Sequence, residues 1–261
     1  MQASQTLSGM TLRDHLNELR KRLFIVVIAV VLASIAAFVY REYVMDFLLA
    51  PAHGFGGAPD DKPIYTEPAE MIGVTIKVSL MAGFVVALPI VLYQVIMFIS
   101  PGLTRREKTY LFAFLPGLLL AFGLGVAFGY YVMFPPALSF LFSFGTETAT
   151  PQIRIAPYIN LITSLLFWVG LIFELPLVMF LLARLGVVSS RWLARYRRHA
   201  VVVAFIAGAI ITPTPDPLNQ ALVALPIMVL YEVGIWLAKL AERLRRSVKA
   251  EKEAGAEEPA E

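Results

Sequence analysis

Four stretches of the chain, 23–40, 71–99, 110–134 and 158–185, each run for eighteen residues or more with at most two charges. A helix that crosses the roughly 30 Å hydrocarbon core of a bilayer needs about 20 mostly apolar residues, so these stretches can span it. That feature takes the chain out of water. Composition agrees: 58% of residues are hydrophobic and 16% charged, against roughly 25% charged in a soluble domain, and mean hydropathy is +0.72. A water-soluble enzyme is excluded. The 261 residues include no cysteine, which removes disulfides, thiolate metal sites and cysteine nucleophiles. A signal peptide over 23–40 fits poorly, because the leading segment is long and no small-residue cleavage site closes the apolar run.

Two further segments are weaker. Residues 200–211 give only twelve apolar positions, about 18 Å of helix, and residues 218–237 are interrupted by Asn219, Gln220, Pro226 and Glu232. The turn between them, Thr212-Pro213-Thr214-Pro215-Asp216-Pro217, excludes a helix there. Two short spans or one re-entrant hairpin leave the C-terminus on the same side. Eighteen of the 22 Lys and Arg fall on the arm before residue 23, the 100–109 and 184–198 loops and the tail from Lys239. Three fall on the opposite loops, a bias that puts both termini in the cytoplasm. The expected fold is therefore an all-α polytopic integral membrane protein with six transmembrane helices, N-in and C-in. Pro89, Pro116, Pro135, Pro136, Pro176 and Pro226 lie in or at the edge of spans and predict a bent, concave bundle. The layout is a cytoplasmic amphipathic arm over 1–22, a membrane domain over 23–240 and a mostly disordered cytoplasmic tail over 241–261.

Few residues offer chemistry. In the arm, Leu12, Leu16, Leu19 and Leu23 form one stripe, and Glu18 lies roughly opposite, facing the cytosol, with Arg22 at i+4. Thr104 and Glu107 have capping-box spacing at the start of the third span. Glu18 and Glu107 share the cytoplasmic face, and two separate carboxylates suit the two guanidinium forks of an Arg-Arg pair. Glu174 sits mid-span, where a charge costs about 2.5–3.5 kcal/mol on insertion scales, so it should face the bundle interior as a polar clasp or a functional site. Lys77 and Glu232 lie nearer span ends and should snorkel. No catalytic, metal or phosphate-loop motif is present, and no cofactor is expected. On residues alone, an ion-coupled channel or small secondary transporter using Glu174 competes with a binding role for the loop carboxylates.

Eight fragments break that tie. They include His15-Leu16-Asn17-Glu18-Leu19-Arg20-Lys21-Arg22, Leu92-Tyr93-Gln94-Val95, Phe98-Ile99-Ser100-Pro101-Gly102-Leu103 and Arg106-Glu107. Phe134-Pro135, Phe173-Glu174-Leu175-Pro176, Ile211-Thr212-Pro213 and Asp216-Pro217 with Asn219-Gln220 follow in order. Together they resemble the TatC family, multispanning subunits of the twin-arginine protein translocase, over residues 10 to 240. The resemblance implies recognition of the Arg-Arg signal peptide of folded precursors and assembly with single-span TatA- and TatB-like subunits. It also implies transport driven by the proton motive force, in the plasma (inner) membrane of a bacterium. By motif match, Glu18 and Glu107 would receive the twin arginines, Arg20, Phe98 and Pro51 would belong to the signal-peptide site, and Glu174, Asp216 and Gln220 would form an intramembrane polar site. The turn carries Thr214 between Pro213 and Pro215, one residue more than the family's pattern, and Lys108 and Thr109 follow Glu107.

Overall fold

The computed structural model describes residues 12–52, 63–99, 105–143, 152–212 and 216–254. These form α1 (Leu12–Val39), α2 (Arg41–Leu49), a 3-10 turn (Ala50–Ala52), α3 (Glu70–Ile99), α4 (Arg105–Phe128), a π turn (Gly129–Met133) and α5 (Phe134–Ser143). Then come α6 (Ile155–Phe173), α7 (Leu175–Leu185), α8 (Ser190–Arg195), α9 (Arg197–Ile211) and α10 (Pro217–Ala254). Five stretches are long and apolar enough to cross a bilayer: Arg13–Val39, Glu70–Phe98, Phe112–Ser143, Ile155–Leu185 and Asn219–Arg245. The fifth apolar segment, α9, has 15 residues and rises about 22 Å, short of a full core thickness.

Several boundaries differ from the periodicity reading, each for a local reason. No glycine or proline separates the arm from the first span, so both are one helix, α1. Pro135 and Pro136 leave the carbonyls of Tyr131 and Val132 without their i+4 donors. The third span widens there: Phe134 N–H donates to the Gly129 carbonyl, five residues back. In the fourth span Pro176 has no N–H for Ile172, and the helix tightens and restarts, with Glu174 N–H donating to Leu171 O at 3.1 Å and Val178 N–H to Glu174 O at 2.9 Å. By contrast, α10 runs unbroken through Asn219, Gln220, Pro226 and Glu232 and continues to Ala254, past the point where a solvated tail was expected. The polar residues do not interrupt it because they have partners. Asn219 N–H donates to Asp216 Oδ1 at 2.7 Å, Gln220 Nε2 donates to Phe205 O at 2.7 Å, and Glu232 meets Arg197 at 2.8 Å. Glu232 is thus ion-paired rather than snorkelling unaccompanied.

The chain divides into two compact units, Met1–Val44 with Ile76–Leu115 and Met45–Thr75 with Pro116–Glu261. In the first, α1 and the body of α3 run antiparallel: residues 15, 22 and 34 of one meet 98, 94 and 83 of the other. Gly83 takes Ser34 against its bare α-carbon, and Ser34 Oγ turns back onto Val30 O at 2.7 Å. The second unit is centred on Phe134, Leu138, Ile159, Ile162, Leu165 and Val169, all nearly inaccessible. Beside it, α7, α8 and α10 pack through Met179, Ala183, Leu193, Ile235, Ala238 and Ala241. Small side chains there let helix backbones approach closely, the usual basis of packing where lipid supplies no hydrophobic drive.

Candidate functional site

The first-unit site is built on one side of α1. At its start the imidazole of His15 stacks on Phe98, ring centroids 4.5 Å apart and planes 26° from parallel. One turn on, Arg22 Nε donates to Glu18 Oε1 at 3.0 Å and its Nη2 reaches the same oxygen. Arg22 Nη1 donates to Gln94 Oε1 at 3.3 Å, and Gln94 is buried. Glu18 Oε2 is shielded from solvent and has no hydrogen-bond partner among the described residues. Glu18 therefore turns toward α3 rather than facing the cytosol. The leucine stripe is as expected, with Leu16, at 62% exposure, Leu19 and Leu23 facing outward, but the polar edge opposite it packs against α3 instead of standing in solvent. Arg20 is exposed. Since α4 starts at Arg105, Glu107 takes its third position, near the positive end of the helix. The expected cap Thr104 lies outside the described residues.

The other predicted residues belong to the second unit. Glu174 occupies the break between α6 and α7. It is 7% exposed, and neither carboxylate oxygen has a hydrogen-bond partner among the described residues. The helices around the break are drawn together by two glycines. A Cβ on Gly125 would lie 2.8 Å from Phe173 Cβ, and one on Gly170 would lie 2.6 Å from the Phe122 ring. Asp216 begins α10 as its cap, accepting from Asn219 N–H and, at 2.9 Å, from Asn219 Nδ2. Gln220 ties α10 to the α9 carbonyl of Phe205, and Gly208 lets the two backbones meet.

Pro51 sits in the 3-10 turn after α2. With no N–H it leaves the Phe47 carbonyl, four residues back, without a helical donor. Tyr130 Oη supplies one at 2.7 Å, its ring stacked on Phe47, and Tyr158 Oη donates to Leu48 O at 2.7 Å. Sequence reading missed both tyrosines, and it missed Glu70. The Glu70 carboxylate accepts from Thr66 N–H at 2.9 Å, Ala156 N–H at 3.2 Å and Arg154 at 3.4 Å. It thereby joins the turn before α3 to the first turn of α6, beside the bridge between Ile64 and Arg154. The signal for the tyrosines was Pro51 itself, whose missing donor obliges something else to cap α2. For Glu70 no sequence signal pointed to a partner 86 residues away.

Comparison with known proteins agrees over nearly the whole chain. The family described as Sec-independent protein translocase protein (TatC) matches residues 14–226. The TatC protein of Aquifex aeolicus is 38% identical over 242 residues, 92% of this chain and 99% of that one. The chloroplastic TATC protein of Arabidopsis thaliana is 37% identical over 234 residues, 90% of this chain and 68% of that one. Among solved structures, a crystal structure of the twin arginine translocase receptor TatC superposes with a TM-score of 0.77 at 40% identity, covering 87% of this chain and 99% of that one. With most of its length matched in both sequence and fold, the chain belongs to the TatC family of membrane protein translocases.

Proposed function

We propose that this chain is the translocase subunit that receives the Arg-Arg signal peptide of folded precursors at the cytoplasmic face. There it nucleates assembly with single-span TatA- and TatB-like partners, and transport is driven by the proton motive force. The observation that carries the reading is the state of Glu18. Its carboxylate is fixed at the head of the first span, one oxygen is held by Arg22, and the other is desolvated and unmatched among the described residues. A buried acceptor without a donor is costly, and a charge-assisted bond from an incoming guanidinium removes that cost. Glu107, at the N-terminal turn of α4, is the second carboxylate, and Arg20 and Phe98 complete the first-unit part of the signal-peptide site.

The membrane arrangement in this proposal has six spans, with α9 as a short one whose Arg197 and Arg198 reach the boundary. Both termini are cytoplasmic, in the inner membrane of a bacterium. Glu174, with Asp216 and Gln220 toward the other surface, forms the polar lining where partner helices or the signal peptide insert. The test is crosslinking of a twin-arginine signal peptide, and its twin-lysine control, to single-cysteine probes at 18 and 107 in this cysteine-free chain. Crosslinks from the arginine peptide alone support the reading. Equal crosslinking of the lysine peptide sinks it, and solute flux through vesicles holding this chain alone favours the transporter reading instead.

A further inference from the structure

Away from these residues, a cavity of about 590 Å³ opens between the 186–189 loop, α8 and α10, well within the range of small-ligand sites. Its floor is made by an unusual local geometry. Gly186 ends α7 in the left-handed region, at φ 82°, and its missing side chain leaves room for the guanidinium of Arg245, which lies against its α-carbon. Any Cβ at Gly186 would collide with that guanidinium. Arg245 lies at the negative end of α7, which carries only about half a charge and does not neutralise it. The nearby carboxylate makes no ion pair with it among the described residues. Glu242 is committed to α8, accepting from Ser190 N–H at 2.6 Å and Ser190 Oγ at 2.9 Å. Val187 and Trp192 also line it, both exposed, and the Trp192 ring lies tilted against Tyr196 with centroids 4.6 Å apart.

A guanidinium with no ion-pair partner among the described residues, beside an exposed indole and valine, is a boundary arrangement: the charge suits an anionic headgroup and the apolar pair suits the glyceride beneath it. We propose that this cavity binds the phosphodiester headgroup of an anionic phospholipid. Arg245 pairs with the phosphate, Gly186 provides the space, and Trp192 and Val187 cover the acyl-glycerol. The Glu242 wall favours this source over free phosphate, because a phosphodiester carries one negative charge where inorganic phosphate near neutral pH carries about one and a half. The site does not depend on the signal-peptide reading, since none of its residues belongs to that site.

The test is native mass spectrometry of the detergent-solubilised full chain, titrated with dioleoyl phosphatidylglycerol or dioleoyl phosphatidylcholine. The expected result is preferential retention of phosphatidylglycerol, weakened about fivefold by R245Q. R243Q, at an exposed position two residues back and so on the far side of the same helix, should change it less than twofold. R245K, which keeps a charge and guards against a folding defect, should fall between wild type and R245Q. Equal loss in R245Q and R243Q would mean diffuse attraction and overturn the site. So would equal retention of phosphatidylcholine, and displacement of bound phosphatidylglycerol by millimolar inorganic phosphate would assign the cavity to a free anion instead.

Discussion

Glu18 carries two jobs on one carboxylate. Oε1 is spent inside the molecule on Arg22, itself steadied by Gln94, while Oε2 is left over. Glu18→Gln keeps the shape and removes the charge, so it should weaken binding of a twin-arginine peptide about tenfold or more, to the level of the twin-lysine control. Peptide titration by fluorescence anisotropy reads this directly. Glu107→Ala should weaken the same peptide more than Glu107→Asp, which retains an anion one carbon shorter. Glu174 points the opposite way. A desolvated carboxylate with no side-chain partner among the described residues costs stability, so Glu174→Leu should raise the unfolding temperature in detergent while abolishing export. A lowered unfolding temperature would mean the carboxylate has a stabilising partner. The carboxylates themselves were legible in the sequence because ionisable residues are rare in an apolar chain. Which way Glu18 points was not: a helical stripe defines two sides, and only the neighbouring α3 decides which one is lipid.

At the level of elements, proline chemistry explains where helices break and what repairs them. The Pro51 gap and the Tyr130 hydroxyl form a matched pair. Tyr130→Phe should therefore cost about 1 kcal/mol, and markedly less in a Pro51→Ala background, where a backbone N–H is restored. A thermal-unfolding double-mutant cycle measures the coupling. Gly125 and Gly170 are a second local device. Gly125→Val forces a side chain into Phe173 and Gly170, and should cost about 1–3 kcal/mol by overpacking. The second and fourth spans were legible from length and hydropathy to within a few residues, whereas the first starts earlier, at Arg13, and the third and last run on to Ser143 and Arg245. The π turn, the restart at Leu175 and the unbroken α10 were not legible. Proline breaks a helix only where nothing replaces its lost bond, and polar residues end one only where they lack partners. Both conditions are tertiary, as Gln220 on Phe205 shows.

For the molecule as a whole, the distribution of lysine and arginine makes a prediction about sidedness. Single cysteines at exposed Arg20 and Trp192 should react with an impermeant maleimide only from the cytoplasm, and one at exposed Tyr65 only from the other side. Labelling of all three from one side would refute the six-span arrangement. The 38 residues of α10 make a rod about 57 Å long, nearly twice the hydrocarbon thickness. Even at a 40° tilt it covers about 44 Å along the membrane normal, so inclination alone cannot hide it. The surplus turns must therefore leave the hydrocarbon core and carry the helix into the headgroup layer or beyond it, as an extension of the same rod.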